Sequence, residues 1–369
     1  MNHPNRKLRI LVAPLDWGLG HTTRCIPVIS ELLNREVEVW LAGNDTQQAI
    51  LKKEFPQCSF LPLEGYNVRY HHKGKGLAVK MLAQVPRILS RIKQEHSWLQ
   101  KIVKEYQIDG VISDNRYGLC TDAVPCVFIT HQLQIKTGLS ALADNMLQQL
   151  NYRFINKYTY CWIPDFPQQP NLAGDLSHPN KMPSIPCFYV GALSRFSAVP
   201  TGAEQKGLLF LISGPEPQRS VLEQIVFSQL KQYEAKVTIV RGVPNGGSAP
   251  ECANARVFNH LPKDALEKEL AAASYVICRS GYSSIMDINS IGAKSILIPT
   301  PGQTEQEYLG QYLMQEQFAF CCSQDMFDLK KILQQAAEFP YSGGIALQPG
   351  LLQNAMDAFL LQCEQNQSK

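Results

Sequence analysis

The chain has 369 residues, 45% of them hydrophobic and 18% charged, with a formal net charge of only +3. That composition is globular, with no low-complexity block and no solenoid repeat, and the length exceeds what one ordinary core fills, so two domains are expected. The near-neutral charge argues against a general nucleic-acid binder, and no apolar run reaches the roughly 20 residues of a membrane-spanning helix.

Leu8 to Pro14 is a short apolar run with β-branched residues, fit for a buried parallel strand. The turn Asp16-Trp17-Gly18-Leu19-Gly20 follows, then a helical pattern from about His21 to Asn34 and a strand at Val37–Ala42. Strand, glycine turn, helix, strand opens a doubly wound α/β domain. Arg69 to Lys104 holds nine basic residues (Arg69, Lys73, Lys75, Lys80, Arg87, Arg91, Lys93, Lys101, Lys104) against the single acid Glu95. Val79, Leu82, Val85, Leu89, Ile92, Leu99 and Ile102 recur there at helical steps, and Pro86 predicts a kink or a second helix start. This segment is a candidate contact for an anionic membrane surface or an acidic acceptor. Strands follow at Gly110–Ser113 and Cys126–Thr130, and a proline-rich stretch from Pro164 to Pro186 closes the first domain.

After a strand at Cys187–Val190, a second α/β set runs from Gly207 to Ile298, and Leu351 to Gln362 reads as a last amphipathic helix. The expected architecture is α/β, with two Rossmann-like doubly wound domains facing across a cleft. Residues 1–190 are expected to form the N-terminal domain, 191–205 a linker, 206–350 the C-terminal domain, and 351–369 the C-terminal helix and tail. Eleven cysteines in no paired or zinc-like spacing, with no secretory leader ahead of Leu8, point to a reducing cytosol.

The chemistry gathers at strand ends. Gly18 and Gly20 let backbone approach a ligand, and the helix start behind them favours an anion. His21, in that first helical turn, is the candidate base, because positive partial charge beside it keeps the imidazole neutral. Thr23 stands where a dinucleotide fingerprint has its third glycine, although Asp45 could serve a ribose, so a nicotinamide enzyme is an outside reading. Asp114 and Arg116, with His131, end first-domain strands and are assigned to the acceptor or sugar side. Ser213, Gly214 and Arg219 follow the first strand of the second domain and could hold a phosphate. Arg279, Ser280, Gly281, Ser283 and Ser284 form a small-residue turn opening a helix, suited to a diphosphate, and Asp287 one turn on could accept from a ribose. Gln303, Gln306 and Glu307 form a second polar turn suited to sugar hydroxyls. Capping chemistry explains several of these residues singly; their joint placement at strand ends favours a ligand. No P-loop and no Asp-x-Asp pair occurs, so no metal site is assigned and amides with arginine would meet leaving-group charge.

Together these residues resemble the two-domain GT-B glycosyltransferases, most closely family 28, which includes the N-acetylglucosaminyltransferase that makes lipid II. In that family a glycine-rich turn ending in histidine follows the first strand, as Gly18-Leu19-Gly20-His21 does. A Ser-Gly turn with an acid seven residues on matches Ser280, Gly281 and Asp287, although the family acid is usually glutamate. The family's Gln-Gln pair corresponds to Gln306-Glu307, and part of its His-Glu-Gln-Asn run survives as His131-Gln132. Gly18-Leu19-Gly20-His21 with Arg24-Cys25 is also similar to the UDP-sugar hydrolase of pseudaminic acid synthesis. The resemblance implies an inverting, metal-independent transferase moving a sugar such as N-acetylglucosamine from a UDP-sugar, with no cofactor, to a glycan or lipid-linked acceptor. It implies a cytoplasmic protein, with a peripheral position on the inner face of the cell membrane as an extension. UDP-sugar hydrolysis is the rival activity, and a nucleotide-sugar sensor or adaptor the rival without chemistry.

Overall fold

The computed structural model describes residues 6–66, 77–196 and 207–368, apart from 232, 234 and 245, and omits the side chains of residues 77–85. Arg69, Lys73 and Lys75, the side chain of Lys80, and the linker beyond residue 196 therefore lie outside the described residues.

Two parallel sheets carry the chain. The first is built from β1 (Arg9–Pro14), β2 (Glu38–Gly43), β3 (Ser59–Pro62), β4 (Gly110–Asp114), β5 (Cys126–Ile129), β6 (Tyr160–Ile163) and β7 (Cys187–Tyr189), in the order β3-β2-β1-β4-β5-β6-β7. β8 (Leu208–Leu211), β9 (Val237–Val240), β10 (Ala255–Phe258), β11 (Tyr275–Cys278), β12 (Ser295–Leu297) and β13 (Phe320–Cys321) form the second, in the order β10-β9-β8-β11-β12-β13. In each sheet the winding reverses between the first and fourth strands, β1/β4 and β8/β11. Loops there leave in opposite directions and open a crevice at the strands' C-terminal ends.

Helices cover both faces of the first sheet. α1 (Leu19–Asn34) buries Cys25, Ile29 and Leu32 on one face. On the other, Leu99 and Val103 of α3 (Leu77–Glu105) join Tyr152 and Ile155 of α4 (Ala141–Ile155). α3 runs as one helix with Pro86 inside it, so no second helix starts there. α2 (Asp45–Glu54), absent from the sequence-based reading, starts on a capping box between Asn44 and Gln47. Around the second sheet lie α5 (Gln218–Leu230), α6 (Lys263–Ala272), α7 (Tyr282–Ile291), α8 (Thr304–Gln315) and α9 (Leu329–Glu338). Gly292, at φ 73°, ends α7 by donating its N–H to Ile288 and Asn289 carbonyls, a left-handed closure that glycine adopts without strain.

The last helix, α10 (Leu351–Gln367), follows the second domain in sequence but packs on the first. Phe359 meets Trp162 edge-on at 6.0 Å, and Cys363 lies against Gly110. The proline-rich stretch lies against the second domain as well as ending the first. The amide of Asp175 donates to Tyr308 Oη at 2.7 Å, and the Tyr312 hydroxyl donates to Asn171 Oδ1 at 2.8 Å.

Candidate active site in the interdomain cleft

The two switch points face one another. Gly18 sits at φ 71° ahead of α1, a conformation side chains rarely adopt, and aims the helix start at the second domain. Two residues on, a Cβ at Gly20 would come 2.6 Å from Ser283 Oγ, so glycine is what lets α1 approach α7. Tyr282 crosses the gap too, donating its hydroxyl to the Pro164 carbonyl at 2.6 Å.

His21, placed by α1, has its Nδ1 3.1 Å from Asp114 Oδ2 at the end of β4. An ionised carboxylate only accepts, so Nδ1 carries the proton and Nε2 keeps its lone pair. One helical turn further, Arg24 donates Nε to the same Oδ2 at 2.8 Å and Nη2 to Oδ1. Asp114 is fully buried and Arg24 is 2% exposed. Burial opposes ionisation of Asp114, but Arg24 and then His21 outweigh it and hold the carboxyl down at about 2. His21 goes the opposite way: burial, and then the neighbouring Arg24 charge, lower its pKa below the ordinary 6.5 despite Asp114. The result is a neutral imidazole with a fixed tautomer and a carboxylate behind it.

The network crosses the cleft. Arg24 Nη1 lies 3.5 Å from His131 Nδ1, and His131 Nε2 is 2.8 Å from Glu305 Oε1 in the first turn of α8. The His131 ring stacks on Tyr282 at 4.0 Å. Burial works against the Glu305 charge, yet the His131 hydrogen bond lowers the Glu305 pKa on balance. Arg24, Tyr282 and Glu305 were not among the residues assigned from sequence. The three-residue step from His21 to Arg24 was a visible hint; the step from His131 to Glu305 spans 174 residues and left none.

Several assigned residues are committed elsewhere, which corrects the reading. Arg116, fully buried, donates Nε to Glu95 at 2.7 Å and Nη1 to the Pro14 carbonyl, so it braces the first domain and cannot meet an acceptor. Arg279, 1% exposed, gives its guanidinium to the carbonyls of Ile298, Pro299 and Gln218 and to Gln324. Arg219 is clamped by Glu216 and Glu223. The Ser280 hydroxyl donates to the Gln306 carbonyl at 2.7 Å, and Gln306 Oε1 accepts from the Thr300 amide at 2.9 Å. The Ser280–Gln306 bond ties the two polar turns together, and the side chains of Arg219, Arg279, Ser280 and Gln306 are already engaged within the protein. Asp114 likewise serves His21 and does not reach an acceptor.

The remaining assigned residues are Gly281, Ser283 and Ser284 at the start of α7, Ser213 and Gly214 after β8, and Gln303 and Glu307 at the start of α8. The first amides of a helix lack intrahelical acceptors, so the start of α7 suits an anion. Glu307 accepts from the Gly302 amide at 2.8 Å, and Asp287 accepts from Ser194 Oγ at 2.6 Å. Beside this turn three buried atoms, Thr300 Oγ1, Gln218 Oε1 and Arg279 Nε, have no hydrogen-bond partner. Buried polar atoms without partners are uncommon, and a bound water or a polar ligand would satisfy them. Among the described residues no three His, Cys, Asp or Glu side chains gather as a metal site, and no helix is long and apolar enough to cross a membrane.

Residues 218–340 match the glycosyltransferase family 28 C-terminal domain. The chain is a glycosyltransferase of GT-B fold whose C-terminal domain is of the family 28 type. The glycosyltransferase is 22% identical to a UDP-N-acetylglucosamine--N-acetylmuramyl-(pentapeptide) pyrophosphoryl-undecaprenol N-acetylglucosamine transferase of Histophilus somni, over 89% of each chain. Its fold is shared with MurG of Acinetobacter baumannii, at TM-score 0.56 and 14% identity over 96% of this chain and 100% of that one. It is shared equally with the glycosyltransferase SnogD of Streptomyces nogalater, at TM-score 0.57 and 16% identity over 99% and 96%. The turn at Arg279–Asp287 and the polar turn at Gln303–Glu307 both fall inside the matched family 28 region.

Proposed function

We propose that the protein transfers a sugar, with N-acetylglucosamine the first candidate, from a UDP-sugar to a hydroxyl of a lipid-linked or glycan acceptor, with inversion at the anomeric carbon. The observation that carries this reading is the Asp114–His21 pair facing the start of α7 across the gap closed by Gly20 and Ser283. The acceptor hydroxyl gives its proton to His21 Nε2 while its oxygen attacks C1 from the face opposite the diphosphate. Asp114 holds the imidazole tautomer and offsets the positive charge that forms on it. The departing UDP keeps the bonding electron pair, and its charge is met by the amides at Gly281–Ser284. Asp287, with one oxygen on Ser194, keeps the other for a ribose hydroxyl. Gln303 and Glu307 take sugar hydroxyls. No step in this scheme needs a divalent ion, so turnover is expected to survive chelation by EDTA.

The lipid-linked acceptor is supported by the first domain's surface and by the acceptor named for the Histophilus relative. Leu142, Met146 and Leu150, 71%, 64% and 45% exposed, share one face of α4, and Leu139, 71% exposed, precedes it. A stripe of that kind on an otherwise polar surface marks an interaction site. It begins at the cleft, where Gly138 lies against Thr304 at the start of α8. Contact with a membrane surface there would bring a membrane-borne acceptor to His21.

A thermal-shift series with UDP, GDP and dTDP tests the donor class, since a ligand at a hundred times its Kd adds about 2.7 kcal/mol of stability. Selective stabilisation by UDP is expected; no response to any of the three would overturn the donor reading. Incubation with UDP-N-acetylglucosamine, with and without polyprenyl-linked saccharides, separates the chemistries. Acceptor-dependent UDP release supports transfer, stoichiometric free sugar without acceptor selects hydrolysis, and binding without turnover selects a sensor.

A further inference from the structure

One cavity lies outside the cleft. It encloses about 640 Å³ at the C-terminal edge of β2 and β3, where Asn44, Asp45, Glu64, Arg91, Gln94 and Trp98 are part of its wall. Its wall is tied to the turn that carries His21. Asn44 caps Gln47, which donates Nε2 to the Leu15 carbonyl at 3.1 Å, and the Tyr66 amide, two residues past Glu64, donates to Asp16 Oδ1 at 3.0 Å. A molecule seated there would adjoin the reacting end of the first domain without touching the donor turns.

The cavity's chemistry narrows its occupant. The lining carries three carboxylates, of which Glu95 is saturated by Arg116, the Tyr66 hydroxyl and the Gly118 amide. The one lining guanidinium, Arg91, is held by Glu64 and by Gln94 Oε1 at 2.8 Å. An anionic ligand would therefore meet Asp45 and Glu64 with no uncommitted cation among the described lining residues. The oxygens of Asn44 and Gln94 are engaged on Gln47 and Arg91, which leaves their amide NH2 groups as donors. Carboxylate acceptors, amide donors and an indole with Leu63 and Pro62 beside it suit the hydroxyls and apolar C–H faces of a sugar.

We infer that this cavity is a second saccharide subsite, holding a neutral sugar unit of the acceptor beyond the one that reacts at His21. The inference rests on the transferase reading above and gives the acceptor an uncharged glycan portion. It also gives Asp45 a place in the reaction: its position past the second strand fits a sugar hydroxyl at this wall.

Saturation-transfer NMR on the full chain with UDP present, using N,N′-diacetylchitobiose, cellobiose and maltose as probes, tests it. Transfer to at least one disaccharide is expected. The Asp45→Ala/Gln94→Ala double variant, at exposed positions, is expected to weaken that binding by at least about fivefold, as the loss of two hydrogen bonds implies, and Trp98→Ala to abolish it. The UDP thermal shift should stay unchanged in both. No transfer to any disaccharide from a protein that binds UDP overturns the inference, as does undiminished transfer in the double variant. Should UDP itself give no thermal shift, the transferase reading fails, while the variants still decide the cavity.

Discussion

Replacing Asp114 by Asn keeps the shape of the site and removes one charge. The lost carboxylate oxygen lies 3.1 Å from His21 Nδ1, and an imidazolium at that distance gains about 5 kcal/mol from it at an effective dielectric near 20. Arg24 shares the same carboxylate, so the part felt as His21 takes the acceptor proton is about 3–5 kcal/mol, a drop of roughly 10²–10⁴ in kcat. An Asn can also turn its NH2 toward Nδ1, which moves the imidazole proton to Nε2 and removes the base. Because Asp114 acts through His21, the two changes are not independent. The Asp114→Asn/His21→Ala double variant is expected to turn over within about threefold of His21→Ala alone. UDP release under saturating UDP-sugar measures this, with circular dichroism as the control for folding. That control is needed because leaving the buried Arg24 unpaired costs about 3–5 kcal/mol of stability. A folded Asp114→Asn protein with near-normal kcat, or losses that multiply in the double variant, would refute the reasoning.

Three further outcomes follow from the same geometry. Gly20→Ala would put a methyl group 2.6 Å from Ser283 Oγ. It should lower UDP affinity by about 5–20-fold, as overpacking by one methyl implies, and Ser283→Gly in the same chain should restore it in calorimetry; no recovery would place the effect elsewhere. Burial raises the Asp287 carboxyl to about 6, against the pull of Ser194 and Arg195. A folded-state pKa above the unfolded value of about 3.9 means full stability below that value, lost as pH rises through about 6. Asp287→Asn should therefore unfold at a higher temperature than wild type at pH 8, with the two converging near pH 4; parallel curves would contradict the burial. Glu305→Ala removes the 2.8 Å bond to His131 that spans the domains, so the radius of gyration in solution scattering without UDP should rise, and an unchanged value would show that this contact does not hold the cleft closed.

Much of the fold was readable because local signals agreed. The apolar run at Leu8–Pro14, the glycine turn and the periodicity of α1 all demand the same strand–turn–helix unit, and the second-domain units around Gly281 and Ser295 do likewise. α2 and α8 were missed because each carries few apolar residues and is specified by its start, Asn44 with Gln47 in one and the acids Glu305 and Glu307 in the other. The packing of α10 on the first domain depends on Phe359 finding Trp162, a contact no local pattern encodes. In the site, residue types at strand ends located both switch points, but they could not show which side chains the scaffold consumes. Arg279 looks like a phosphate ligand in sequence; three backbone carbonyls claim it in the fold. His21 was legible from its turn, whereas its partner Asp114 required the parallel pairing of β1 with β4.

A crystal structure of the protein with UDP tests the central claim most directly. The account predicts the diphosphate within hydrogen-bond distance of the amides at Gly281–Ser284, in the cleft that His21 faces from the first domain. UDP bound at any other surface, or an empty cleft at saturating UDP, would contradict it.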